Sequence, residues 1–223
     1  MTDVRENIIK VKAEIPEGVS LIAVSKFHPV EAIREAYEAG QRAFGESRVQ
    51  ELLLKEPALP CDIRWHFIGH LQTNKVRQLI GKTYLIESVD SERLLRLIDS
   101  ESAKRDVITN VLMQVHVAKE ETKFGFYPEE LLDFFNKHGY ESLTNTHICG
   151  IMGMASNTDD EDRVRKDFRE IASIFKQIRE NPEFGLRGFD TLSMGMSGDW
   201  KIAVEEGANM VRIGSAIFGE RQY

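Results

Sequence analysis

The first residue of this chain with the means to do covalent chemistry is a lysine that ends a hydrophobic strand. Lys26 directly follows Ile22-Ala23-Val24-Ser25, and period-two alternation puts Ile22, Val24 and Lys26 on one face. Where such a face lines the inside of a barrel, the amine is delivered to the mouth. Desolvation there lowers a lysine pKa, so that the amine becomes a nucleophile able to form a Schiff base with an aldehyde. Taken alone, Lys26 reads as the solvated flank of a strand; it needs company.

The C-terminal part supplies that company. Ser193-Met194-Gly195-Met196-Ser197-Gly198-Asp199 runs from a strand end into a helix start, and Val211-Arg212-Ile213-Gly214-Ser215 breaks a later strand at a Gly-Ser pair. Loops after the last two strands of a barrel, together with a short helix N-terminus, commonly hold a phosphate, because free backbone N–H groups and the helix dipole converge there. Glycine permits close backbone approach and serine adds a hydroxyl donor. Each piece by itself is a plain N-cap or turn; their joint position makes Ser197, Gly214 and Ser215 candidates for a phosphate cradle. Arg212 has the parity to face the interior two residues before Gly214, where its permanent charge requires a compensating anion or electron-rich ring.

Other polar positions are plainer. His66, inside Trp65-His66-Phe67-Ile68-Gly69, reads as a hydrogen-bonded core histidine, and Gly45-Glu46-Ser47-Arg48 as a helix-capping turn after a strand. Met152 and Met154 fit apolar gap-filling, and the charges over 160–169 a solvated helix face. Gly81-Lys82-Thr83 resembles the end of a P-loop, but Val76 occupies the place of its first glycine. The chain contains no GxGxxG, HExxH or GxSxG, which disfavours kinase, metalloprotease and serine hydrolase chemistry.

The elements that must position these residues alternate. Hydrophobic periodicity and Gly/Pro punctuation predict helices over 3–13, 29–39, 49–55, 72–80, 91–104, 128–138, 160–180 and 199–206. Strands are predicted over 19–25, 42–45, 64–68, 83–88, 107–117, 146–154, 191–194 and 210–213. Eight strands alternating with helices, after one extra N-terminal helix, favour a single (β/α)8 TIM-type barrel over 1–223, with a doubly wound open sheet as the alternative. In either fold, ligands sit at the carboxyl ends of the strands.

Composition bounds the rest. With 223 residues, 42% of them hydrophobic, the chain can bury its own core and is no disordered segment. Lys plus Arg number 29 against 36 Asp plus Glu, a net charge of −7 that disfavours nucleic acid and anionic membrane as partners. No apolar run approaches a spanning helix and Met1-Thr2-Asp3-Val4-Arg5-Glu6 lacks a secretory pattern, so a cytoplasmic protein is expected. Cys61 and Cys149 read as two reduced structural thiols, with neither a disulfide nor a metal site suggested.

Several motifs in order resemble the pyridoxal-phosphate homeostasis family, alanine-racemase-like N-terminal-domain barrel proteins, across essentially the whole chain. They are Ala23-Val24-Ser25-Lys26, Phe44-Gly45-Glu46 with Val49-Gln50-Glu51, Trp65-His66-Phe67-Ile68-Gly69 with Leu71-Gln72 and Asn74-Lys75, Leu192-Ser193-Met194-Gly195-Met196-Ser197 with Asp199, and Val211-Arg212-Ile213-Gly214 with Ile217-Phe218-Gly219. The resemblance implies pyridoxal 5′-phosphate (PLP) bound as an internal aldimine to Lys26, phosphate contacts from Ser197, Gly214 and Ser215, and Arg212 near the pyridine nitrogen. It draws Ser47 and His66 into the cofactor-binding set, although the family usually carries Asn at the position of Ser47.

Three functions stay open at this point. The first is a non-enzymatic protein that holds and buffers PLP, as a monomer, and delivers it to PLP-dependent apo-enzymes. The second is a PLP-dependent racemase-type enzyme, disfavoured because an arginine on the ring nitrogen disfavours the protonated, electron-withdrawing ring. Related racemases also use a second domain and a partner subunit for a second acid/base, and this chain ends four residues after Gly219. The third is a cofactor-free Schiff-base aldolase on a phosphorylated substrate.

Overall fold

The computed structural model describes residues 3–117 and 124–219. It opens with helix α1, Val4–Glu14, whose first turn is capped by the Asp3 side chain accepting from the Glu6 N–H. Strand β1, Ser20–Val24, then starts the alternation. It continues through α2 (Val30–Glu38), β2 (Ala43–Glu46), α3 (Val49–Lys55), β3 (Arg64–Phe67), α4 (Val76–Leu79), β4 (Leu85–Val89), α5 (Glu92–Ala103) and β5 (Thr109–Val115). The second part is α6 (Pro128–Asn136), β6 (Thr146–Gly153), α7 (Glu161–Glu180), β7 (Thr191–Ser193), α8 (Trp200–Glu205), β8 (Met210–Ile213) and α9 (Ser215–Phe218).

All eight strands pair in parallel in chain order, and β1 closes on β8 through Ser20↔Met210 to Ala23↔Ile213. The fold is therefore a TIM-type α/β barrel with an extra N-terminal helix, as expected, and the open-sheet alternative is excluded. Closure removes every sheet edge and leaves strands buried on both faces, which is why Ile22-Ala23-Val24 reads as an unbroken apolar run and why Phe44, Phe67 and Val211 are wholly buried.

The main core lies between barrel and helices; inside the barrel, Leu85, Leu112 and Met152 form a small separate apolar cluster. The helix expected over 72–80 is cut down to a 3-10 turn, Thr73–Lys75, and the single α turn of α4. Thr73 and Asn74 are poor helix formers, because their side chains compete for backbone hydrogen bonds. Among the described residues no helix is long and apolar enough to cross a membrane.

Candidate functional site

The carboxyl ends of β1, β3, β6, β7 and β8 surround a cavity of about 250 Å³. Its wall is built from Val24, Lys26 and His28 on one side and Ser197, Arg212, Gly214 and Ser215 on the other, with Ile68, Met152, Met154 and Met196 as its apolar part. Lys26 is the lysine of this wall among the described residues, and it is half-buried. Met152 and Met154, expected to be core filling, both face the cavity; a thioether is polarizable enough to serve as wall and packing at once.

The turn that carries Lys26 is pinned from behind. The Ser25 hydroxyl donates to Glu46 Oε1 at 2.6 Å, and Lys55 Nζ donates both to that oxygen at 2.8 Å and to the Ser25 carbonyl at 3.0 Å. Phe27 takes a left-handed backbone, φ 68°, and its N–H is held by the Glu51 carboxylate at 3.2 Å. A non-glycine residue stays in that region only where its surroundings over-determine it; here a carboxylate on the N–H and the Arg48 guanidinium 4.6 Å over the Phe27 ring do so. Burial pushes the Glu46 carboxyl up to about 7, against the Lys55 ammonium and the Ser25 hydroxyl, with the neighbouring Glu51 carboxyl adding to the rise. The segment after β2 is thus no simple helix-capping turn: Arg48 at the N-cap makes no capping bond, and Glu46 is wholly buried as a strut.

Opposite, the loops after β7 and β8 are joined by one hydrogen bond. The Gly214 N–H donates to Ser197 Oγ at 3.2 Å, leaving the Ser197 hydroxyl proton free to be donated into the cavity. A Cβ on Gly214 would meet the Val24 carbonyl oxygen at 3.2 Å, so glycine keeps the cradle thin against the strand that carries Lys26. Ser215 starts α9 with an exposed side chain. The three residues expected to form a cradle therefore do converge within one wall.

Arg212 is buried and held on three sides. Nη1 donates to Ser193 Oγ at 2.6 Å, Nη2 donates to the Gly153 carbonyl at 3.0 Å, and Glu87 Oε2 lies 3.7 Å away. Burial lowers the Arg212 pKa, and the charges of Glu87 and Asp199 pull it back up. Burial also raises the Glu87 carboxyl, but His66, Arg212 and Ser193 outweigh that and hold it below the ordinary carboxylate range. Glu87 is the compensating anion that an interior arginine requires, and the sequence reading missed it. The signal was there: a carboxylate within Leu85-Ile86-Glu87-Ser88-Val89, two residues from Leu85 and on the same face.

Two expected cofactor residues lie elsewhere. His66 is buried, with Nδ1 2.8 Å from Glu87 Oε1, and lines a different cavity at the amino ends of the strands. Ser47 is half-buried at the end of β2 and packs so closely on Gly69 that a Cβ there would lie 2.2 Å from the Ser47 carbonyl oxygen; it does not line the mouth cavity. The family resemblance is what draws both into the cofactor-binding set; the residues themselves read as a core histidine and a capping turn. Cys149, a free thiol as expected, has a neighbour two residues away on β6: His147 Nδ1 lies 3.5 Å from its Sγ. Among the described residues no cluster of His, Cys, Asp or Glu is arranged to hold a metal.

Comparison with known proteins adds an independent line. The alanine racemase N-terminal domain family matches residues 1–222. A pyridoxal phosphate homeostasis protein of Aquifex aeolicus is 42% identical over 204 residues, covering 91% of this chain and 87% of that protein. Another, from Schizosaccharomyces pombe, is 38% identical over 208 residues, covering 92% and 85%. Among solved structures, PipY of Synechococcus elongatus PCC7942 superposes with a TM-score of 0.91 without PLP and 0.88 with PLP bound, at 35% identity over 97% of this chain and 100% of that one. An alanine racemase of Clostridium difficile 630 shares the fold, with a TM-score of 0.74 at 16% identity over 99% of this chain and 56% of its own.

Proposed function

Because the chain belongs to the alanine racemase N-terminal domain family and, within it, to the pyridoxal phosphate homeostasis proteins, we propose that it binds PLP reversibly and takes part in PLP homeostasis. The single observation that carries this reading is the opposition, across one cavity, of a strand-end lysine and a glycine–serine cradle. When bound, the cofactor supplies an aldehyde that a lysine amine can condense with and a phosphate dianion.

The residues present fit that group. Lys26 presents the amine, held in place by the Ser25 and Phe27 anchors behind it. Ser197 and Ser215 provide hydroxyl donors and Gly214 a close backbone approach, a set suited to a phosphate. Arg212 stands in the wall as a donor that cannot accept a proton, and would keep a ring nitrogen beside it unprotonated. Ile68, Met152 and Met196 offer apolar flanks for a ring. His66 and Ser47 play no direct part in this arrangement.

We read the chain as a carrier, not a catalyst. Its relatives carry homeostasis names, and a donor-only arginine weakens the electron withdrawal that racemase chemistry needs. In this reading it works as a monomer in the cytoplasm, buffering PLP and passing it to PLP-dependent apo-enzymes. Purified protein incubated with PLP should turn yellow, and borohydride should fix the label on the Lys26 peptide. Racemisation of alanine, serine or glutamate should not exceed that of a Lys26→Ala control. A colourless protein would point to the cofactor-free aldolase instead, and robust turnover to the racemase.

A further inference from the structure

The barrel has a second cavity at the opposite end, about 560 Å³ in volume, lined where the chain enters β1, β2, β3 and β4. Its charge runs against that of the whole chain. Three cations line it, Lys12, Arg42 and Arg64, against the single carboxylate Glu17, in a sequence where acidic residues outnumber basic ones 36 to 29. Arg42 is already committed: Nε lies 2.9 Å from Asp62, and Nη1 donates to the carbonyls of Tyr37 and Gln41. Arg64 lies over the Tyr84 ring, 5.5 Å from its centroid, and neither its guanidinium nor the Lys12 amine makes an ion pair with a described residue. Burial, and then the charge of Arg42, hold the Lys12 amine below its ordinary value. Two cations left without counter-charge on a concave wall are relieved by an anion.

The floor supplies a directional group. His66 is 2% exposed. Its Nδ1 is taken by Glu87, while Nε2 has no hydrogen-bond partner among the described residues, although the ring lines the cavity. A ring nitrogen that opens onto the cavity without a protein partner is available to water or to a ligand there. From Glu87 the contacts run on: Ser193 Oγ donates to Glu87 Oε2 at 2.6 Å, and Arg212 Nη1 donates to Ser193 Oγ at 2.6 Å. One hydrogen-bonded chain of four buried side chains thus runs from the lower cavity to the wall of the upper one.

We propose that the lower cavity is a second ligand site, for a small oxyanion of the carboxylate or phosphate class, whose occupancy is felt at Arg212. Lys12 and Arg64 take the charge and His66 Nε2 faces the ligand. A ligand held at Nε2 moves the ring that Glu87 Oε1 meets at 2.8 Å, and with it the carboxylate that also faces Arg212. The carboxylate is shared, so what one partner gains the other loses. The site half of this proposal stands without the cofactor reading; the coupling half rests on it.

The test uses the full chain already saturated with PLP, so that the upper cradle is filled, and two probes in separate arms, citrate and inorganic phosphate. Calorimetry is expected to show saturable 1:1 binding of at least one of them, weakened about tenfold by Arg64→Gln and again by Lys12→Met. In a Cys61→Ser background the same probe should slow modification of Cys149, which lines the lower cavity, by a thiol reagent. It should also change the rate of PLP release several-fold in the parent but not in the double variant. Absence of saturable binding by both probes, or binding that survives the double substitution, overturns the site. Binding with unchanged PLP release overturns the coupling alone. Failure of the cofactor reading would show separately, as protein that never acquires the PLP absorbance.

Discussion

The Gly214 N–H donates to Ser197 Oγ at 3.2 Å, so that the loops after the last two strands are tied together by the same hydroxyl that faces the mouth cavity. Ser197→Ala therefore does two things at once. It removes a donor worth about 1.5–3 kcal/mol to a phosphate, and it frees a backbone N–H that can turn to that phosphate in partial compensation. Retention of PLP should fall by about tenfold, or ~1.4 kcal/mol, while binding of pyridoxal, which lacks the phosphate, stays at the parental level. Equilibrium dialysis with the two forms decides it: equal losses for both would mean that Ser197 is only a turn residue. Gly214→Val is the harsher variant, since its side chain also meets Val24 on β1.

Lys26 is half-buried at the end of a strand whose core contacts are made by Ile22, Ala23 and Val24. Lys26→Ala should keep the fold, within about 1 kcal/mol of the parent by chemical denaturation. The same variant should lose the visible absorbance acquired with PLP. Peptide mapping after borohydride that found the label on Lys75 would reassign the amine.

Arg212 and Glu87 form the buried charge pair of the barrel interior, with Ser193 between them. Arg212→Met should destabilise the protein by about 3 kcal/mol, because removing one partner leaves the other charge buried and uncompensated. Glu87→Gln in that background should recover much of the loss, as both charges are then gone. Urea denaturation of the three variants checks this; additive losses would show that the two side chains act independently.

Glu46 gives a pH dependence with a definite sign. Its carboxyl stands at about 7 in the folded protein against an ordinary 4.5, so the folded state binds the extra proton. The stability this contributes is complete below about pH 4.5 and is lost as the pH rises through about 7. At ~1.4 kcal/mol for each pKa unit, the loss approaches about 3 kcal/mol. Glu46→Gln should flatten that slope in melts taken across this range. If the parent shows no decline relative to the variant, the carboxylate is charged throughout.

How far the sequence reached can be judged at particular residues. The run ahead of Lys26, the glycine stops and the regular alternation of periods two and 3.6 are local properties, and they suffice for eight strands, an extra helix and the residues of β1, β7 and β8 that share one cavity. The family motifs are local in the same sense. Closure of β1 on β8 is not, because the same alternation serves an open sheet until distant strands pair. The helix over 72–80 was overread because apolar spacing outlasts the helix propensity of Thr73 and Asn74. Parity turns Arg212 inward and the buried run around it makes His66 a core residue, but only packing decides that His66 faces the lower cavity and Arg212 the mouth. Strand parity marks Glu87 as an inward carboxylate, but its pairing with Arg212, 125 positions away (212 − 87), could be found only in three dimensions: a buried ion pair depends on where two strands meet, and spacing along the sequence carries no record of that.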